Sequence, residues 1–226
     1  MTQKKFWAAF VKASAVAILF LLPMAQVSVA QAPQLRTPDY DAVRDFSISS
    51  NPNGVWSYGW EASLGGTLNL YTLTDTTTVP GMSVLYKSGD KWTGGWPVLG
   101  HNDTTKQICV LTICIPPAYL LLHPGASGEY SVVRWTAPST GKFLIEGAFA
   151  GQDWAGPTTT DVHVLVNSKT SLLSGPITSY KWPLTFKLIV KVSAGDTVDF
   201  AVGVGKDGDL NCDSTGVRFV LLHLEK

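Results

Sequence analysis

Apolar and polar positions alternate along short stretches of the chain from Phe46 onward, which is the period of a β-strand with one buried face. Gly, Pro, Asn and Asp clusters separate these stretches, and no capped segment with a helical period interrupts them. The pattern therefore predicts an all-β fold, a two-sheet antiparallel β-sandwich that is jelly-roll-like. The predicted strands are residues 55–60, 67–73, 82–86, 130–135, 142–149, 160–166, 182–192, 197–204 and 216–224.

The first thirty residues have the pattern of a secretory signal peptide. Lysines precede the apolar run Ala13–Leu22, and small residues lead to a predicted cleavage site after Ala30. A membrane anchor is the alternative, but the run is shorter than the roughly 20 residues that span a bilayer. We therefore predict a signal peptide over 1–30, an exposed N-terminal segment over 31–45, and a single sandwich domain over 46–226. The mature protein is then secreted or periplasmic and has no membrane partner.

The charge balance bears on the partner. The three basic residues of the first thirty positions leave 14 basic and 17 acidic residues in the other 196, a formal net charge of −3. Nucleic-acid binding through broad phosphate neutralisation is therefore not expected.

Three cysteines, Cys109, Cys114 and Cys212, leave one without an intramolecular partner. Export permits disulfides. A Cys109–Cys114 bridge, closing a small loop before Pro116, is favoured, and pairing of Cys212 with either of the others remains the alternative.

Several short segments, in order, resemble a largely uncharacterised group of exported bacterial domains often found in proteins with a PEP-CTERM-type sorting tail. The resemblance spans about residues 46–224 and implies a secreted jelly-roll or galactose-binding-like sandwich, with no catalytic residues. This chain differs in lacking a sorting tail and in its Cys109–Cys114 insertion. The matching segments are 46–47, 51–59, 122–125, 130–138, 159–167, 194–200 and 213–216.

Aromatic residues supply the first candidate binding site. Trp92, Trp96 and Trp154 lie in Gly- and Pro-rich segments, where exposure is expected, and Asp153 precedes Trp154. Exposed indole rings stack on sugar rings while neighbouring polar groups bond the hydroxyls. The alternative is that these rings cover one end of the core. A further aromatic stripe, residues 56, 58 and 60 on one face of a strand, is more typical of core.

His163 is the other predicted ligand contact. Val162, Val164 and Val166 alternate with it and should face the core, which leaves Asp161 and His163 on the opposite face. A sheet-face histidine hydrogen-bonded to Asp161 is the purely structural alternative.

Oxygen-bearing side chains occur at alternate positions in one loop, at Asp207, Asp209, Asn211 and Asp213. Calcium prefers such oxygen ligands, although the spacing is not that of an EF-hand. We predict a structural calcium site here, with a polar turn as the alternative.

Catalytic signatures are missing from the sequence, which has neither GxSxG nor HExxH and four scattered histidines. The leading hypothesis is a secreted, non-catalytic module that binds carbohydrate or another extracellular polymer. One alternative is a structural or matrix protein that associates with itself or with a surface protein. The other is a polysaccharide-active enzyme with an unrecognised site.

Overall fold

A computed structural model describes residues 37–88 and 97–224, so the predicted signal peptide lies outside the described residues. The fold is all-β, as predicted. Its strands are β1 (Tyr40–Asp41), β2 (Trp56–Glu61), β3 (Asn69–Leu70), β4 (Leu73–Asp75), β5 (Met82–Tyr86), β6 (Val98–Asn102), β7 (Ile108–Val110), β8 (Ile113–Ile115), β9 (Leu120–His123), β10 (Tyr130–Thr136), β11 (Gly141–Gly151), β12 (Asp161–Val166), β13 (Thr170–Pro176), β14 (Pro183–Val192), β15 (Thr197–Gly203) and β16 (Thr215–His223).

The strands form two main antiparallel sheets and one small hairpin. The larger sheet has the order β14-β11-β16-β9-β6-β5-β4, with β1 beside β16. The smaller sheet has the order β13-β12-β15-β10-β2-β3, and β7 and β8 form the hairpin. From β10 to β16 the chain repeatedly passes from one sheet to the other, which gives the jelly-roll-like connectivity.

The core lies between the two main sheets and is rich in aromatic rings. Phe200 of the smaller sheet stacks on Phe219 of the larger sheet, with ring centroids 3.4 Å apart. Trp135 and Phe143 meet edge to face at 4.9 Å, again one from each sheet. Such contacts add to the stabilisation from burying the rings.

The aromatic stripe on β2 belongs to this core. Trp56 and Tyr58 are almost fully buried, and Trp60 packs partly buried against the core cluster. The stripe therefore faces inward, as an alternating strand with one buried face requires.

Of the segment 31–45, predicted to be exposed, residues 31–36 lie outside the described residues, and most of residues 37–45 are partly or fully buried. Tyr40 and Asp41 pair with Leu221 and Val220 of β16, and Ala42 is completely buried. Two residues are too few to show a strand period, so tertiary contacts rather than local pattern place this strand. Among the described residues, no helix is long and apolar enough to cross a membrane.

Charged residues lie buried on the outer face of the smaller sheet. The Arg134 guanidinium donates two hydrogen bonds to the Asp199 carboxylate and one, at 3.3 Å, to Glu61. Both acidic side chains are fully buried, and the Ser168 hydroxyl donates to Asp199 at 2.9 Å. Adjacent strands β2, β10 and β15 supply the three charged groups. We call Glu61, Arg134 and Asp199 the buried ionic cluster.

Burial raises the pKa of Glu61 to about 7, and repulsion from Asp199 acts in the same direction. Amide hydrogen bonds from Gly65 and Gly66 and the Arg134 charge oppose that rise without cancelling it. One guanidinium therefore faces two carboxyl groups, and Glu61 holds its proton to a higher pH than an exposed glutamate does.

Candidate functional site

The predicted ligand residues lie in three different settings. Trp92 and Trp96 fall outside the described residues. Trp154 is 57% exposed, as expected of a ligand-stacking ring. Asp153 is buried, and its carboxylate accepts the Ala155 amide at 2.9 Å, so it stabilises the turn that carries Trp154. His163 is also buried, on β12.

A disulfide-closed hairpin lies beside Trp154. Cys109 on β7 and Cys114 on β8 are directly opposite and bonded to each other, while Cys212 is free. The Cys114 amide donates to the Gln152 carbonyl at 2.8 Å, and the Trp154 amide donates to the Thr112 carbonyl at 3.2 Å. Hydrogen bonds thus attach the hairpin to the segment that leads to Trp154.

The hairpin tip adds an apolar group to the same surface. Leu111 has a φ of 52° and is 89% exposed. Because Thr112 binds the Trp154 amide, Leu111 is next to the residue that touches the tryptophan backbone.

The segment that leads to a second exposed tryptophan, Trp182, is hydrogen-bonded to this region at Gly151. Trp182 is 78% exposed. The preceding Lys181 amide donates to the Gly151 carbonyl at 3.0 Å, and Tyr180 bridges Gly151. A side chain at Gly151 would lie 2.6 Å from the Ser179 carbonyl oxygen, so glycine is what permits the two segments to approach this closely.

We call the surface that carries Leu111, Trp154 and Trp182 the aromatic end. Their backbones belong to segments that are hydrogen-bonded to one another at one end of the sandwich. All three side chains are exposed, and exposed apolar groups on connected segments are candidates for contact with a ligand or partner. The sequence pattern does not single out Trp182 because it places this residue first in a strand, whereas β14 begins at Pro183.

A cleft of about 670 Å³ adjoins the segments that lead away from the aromatic end. We call it the histidine cleft. Its lining includes hydroxyls, two carboxylates, an imidazole and an ammonium group, set in a surface that is mostly apolar. The lining residues are Thr159, Thr160, Asp161, His163, Ser174, Gly175, Pro176, Thr178, Gly205, Lys206 and Asp207.

Asp161 organises the floor of the histidine cleft. Its Oδ2 accepts the Tyr130 hydroxyl at 2.8 Å and lies 2.8 Å from His163 Nε2, and its Oδ1 accepts the Gly205 amide at 2.9 Å. Burial alone raises the pKa of Asp161, but these hydrogen bonds outweigh burial and hold the pKa below its ordinary value. An ionised carboxylate has only acceptors, so Nε2 of His163 carries the proton.

His163 lies on the face of β12 opposite the core, as predicted. Val162 and Val164 are completely buried between the sheets, and Val166 packs against the same core. His163 meets the Tyr130 ring edge to face at 5.9 Å. The hydrogen bond to Asp161 fixes the imidazole, so only its other ring nitrogen, Nδ1, is left to bond a ligand.

Gly203 permits the contact between Tyr130 and Asp161, because β15 lies between their strands. A Cβ at position 203 would lie 2.5 Å from Asp161 Oδ1 and closer still to the Tyr130 ring. We expect Gly203→Ala to separate the two groups and to lower the free energy of unfolding by about 1–3 kcal/mol, as overpacking does. Urea unfolding measures this loss.

Tyr130→Phe is the matched control for that substitution, because it removes the hydroxyl without adding volume. We expect a smaller loss of about 1 kcal/mol, the usual net value of one hydrogen bond. A Gly203→Ala protein as stable as the wild type would show that Tyr130 reaches Asp161 by another arrangement.

The structure does not arrange the predicted calcium ligands around one centre. Asp209 Oδ1 accepts both the backbone amide and the side-chain amide of Asn211, and Asp207 Oδ1 accepts the Asp209 amide. Asp213 is fully buried and accepts the Thr159 amide at 2.8 Å, and burial raises its pKa to about 6. Within residues 37–88 and 97–224, no three His, Cys, Asp or Glu side chains are placed to hold a metal ion. The calcium site stays a prediction.

No known family matches the sequence, and no curated protein is similar to it. Solved structures with partial similarity include CBM51 from Clostridium perfringens GH95 in complex with methyl-galactose, 11% identical, covering 67% of this chain and 94% of that one, TM-score 0.36. A family 35 carbohydrate binding module from Clostridium thermocellum is 14% identical, with coverage of 62% and 88% and a TM-score of 0.30. Rabbit GITRL is 19% identical, with coverage of 41% and 74% and a TM-score of 0.30.

Proposed function

We propose that the protein is an extracellular, non-catalytic carbohydrate-binding module whose ligand lies on the aromatic end and extends into the histidine cleft. The observation that carries this proposal is the pair of exposed tryptophans, Trp154 and Trp182, on segments joined at Gly151. Indole faces pack on the C–H faces of pyranose rings, and few other ligands combine such faces with many hydroxyls.

The histidine cleft supplies the polar half of the proposed site. The segment after Trp154 continues to Thr159, and Thr178 precedes Trp182, so both segments of the aromatic end also line the cleft. Hydroxyl, carboxylate, imidazole and ammonium groups there offer donors and acceptors for sugar hydroxyls. We propose that a ligand longer than one ring contacts both surfaces.

The disulfide supports a location outside the cytoplasm. Cys109–Cys114 is closed in the structure, and disulfides persist in oxidising compartments. This agrees with the signal peptide predicted over residues 1–30, and we propose secretion or export to the periplasm on both grounds.

Affinity electrophoresis of the purified protein on neutral and acidic polysaccharides tests the proposal, first with calcium and then with EDTA. We expect retardation by at least one neutral polysaccharide. Trp154→Ala and Trp182→Ala should each weaken that binding about tenfold or more, the range of an aromatic hot spot. Neither change should lower the melting temperature, because both rings are exposed.

Leu73→Ala is the matched control, since Leu73 is a 41% exposed apolar residue of β4, outside the proposed site. It should bind as the wild type does. A folded protein that no glycan retards, with a size that grows with concentration, would overturn the proposal in favour of self-association through the aromatic end. Binding that EDTA abolishes would add calcium to the site.

A further inference from the structure

A second cleft, of about 740 Å³, lies on the outer face of the larger sheet. Adjacent strands β14, β11 and β16 form its floor, where Lys187, Glu146 and Val220 stand side by side in register. The next row across the same strands is Thr185, Ala148 and Arg218. Of this second row, Thr185 and Arg218 line the cleft.

Most of the charges that line this cleft are neutralised or bonded nearby. Lys187 pairs with Glu146. Arg44 pairs with Asp45 at 2.7 Å, and Asp41 accepts the amides of Val43 and Arg44. Arg218 has no carboxylate partner in the part of the chain that the structure describes.

An aromatic ring fixes Arg218 in place of an acid. The guanidinium carbon lies 5.3 Å from the centroid of the Tyr119 ring, a cation–π contact. Tyr119 can lie against the sheet because position 216 is glycine, where a Cβ would be 3.0 Å from the ring. A cation–π contact does not pair the guanidinium N–H groups with a carboxylate, so they can still donate to one.

We propose that this cleft binds an acidic sugar through its carboxylate, with Arg218 as the anchor. The planar fork of N–H groups on guanidinium matches the two oxygens of a carboxylate, which an ammonium group does not. The Thr185 hydroxyl and the Lys187–Glu146 pair lie on the neighbouring strands, within the same cleft, and serve the hydroxyls of the sugar. The volume is that of a small-molecule site. This site is separate from the aromatic end and goes beyond the function proposed for that surface.

Calorimetric titration with trigalacturonate tests the proposal, with a neutral galactose oligomer and inorganic sulfate as comparison probes. Wild-type protein should bind trigalacturonate, more weakly as salt increases. Arg218→Gln should raise the dissociation constant about tenfold to a hundredfold, the effect of losing a charge-assisted hydrogen-bond pair. Arg218→Lys keeps the charge but loses the planar fork of N–H groups. Its dissociation constant should lie between those of the wild type and Arg218→Gln.

Lys191→Gln is the matched control, because it removes one exposed cation from β14 outside the cleft. It should bind trigalacturonate as the wild type does. Unchanged binding in Arg218→Gln, equal losses in both variants, or sulfate binding as tightly as trigalacturonate would each overturn the proposal. The Trp154→Ala and Trp182→Ala proteins should retain trigalacturonate binding, which separates failure of this site from failure of the aromatic end.

Discussion

Arg134→Met is expected to lower the free energy of unfolding by about 3–5 kcal/mol, the usual result of breaking a buried ion pair on one side. The substitution leaves the Asp199 and Glu61 carboxyl groups buried without their cation. Met retains most of the volume of the aliphatic stem, so the loss reports charge rather than a cavity. Urea unfolding at pH 8, above the raised pKa of Glu61, measures this loss.

Lys187→Met is the control for Arg134→Met. Lys187 also pairs with an acid, Glu146, but its side chain is 70% exposed. Exposed pairs contribute about 0–1 kcal/mol. A similar loss in the two proteins would mean that the buried ionic cluster is no more important than a surface pair.

Glu61→Gln is expected to remove a pH dependence of stability. The folded protein holds the Glu61 proton up to a pKa of about 7, whereas the unfolded chain releases it near the ordinary value of 4.5. Between these values the folded state binds one more proton, so wild-type stability falls as pH rises through the window. Over this window, Glu61 lowers the free energy of unfolding by about 3 kcal/mol in total. Gln is neutral throughout, so the stability of the Glu61→Gln protein should lack this part of the decline.

Unfolding free energies of both proteins, measured from pH 4 to pH 8, test this expectation. Asp213, with a pKa of about 6, contributes a decline of the same sign at lower pH, and Asp213→Asn removes that part. Parallel curves for wild type and Glu61→Gln would show that Glu61 ionises normally in the folded protein.

Strands and their buried faces can be predicted because a two-residue period is a local property of the sequence. The faces of β12 and the inward stripe of β2 are examples. The disulfide can be expected from the short spacing of Cys109 and Cys114, which the structure brings opposite each other in a hairpin. Residues 40–41 escape prediction because a strand this short depends on its partner, β16, for its place.

Contacts across strands cannot be predicted in this way, because they depend on register. Tyr130 reaches Asp161 only where Gly203 stands between them, and 31 residues separate the two in sequence. The buried ionic cluster shows the same limit. A polar residue in an alternating strand predicts exposure, yet Glu61 and Asp199 on the outer face are fully buried.

The candidate site can be predicted only in part for the same reason. The exposure of Trp154 follows from its Gly- and Pro-rich surroundings, and the alternation of β12 assigns His163 to the outer face. Trp182 depends on the residue at which β14 begins, which a run of apolar residues does not define. Joining these positions into one site requires the backbone contacts at Gly151 and Thr112.

The covalently closed hairpin has a kinetic consequence for any ligand of the aromatic end. Cys109–Cys114 and the hydrogen bonds at Gly151 and Thr112 join the backbone segments of the surface that we propose as the binding site. Little conformational entropy is then lost on association. Differences in affinity among ligands should accordingly lie in how long each one remains bound rather than in how fast it is captured.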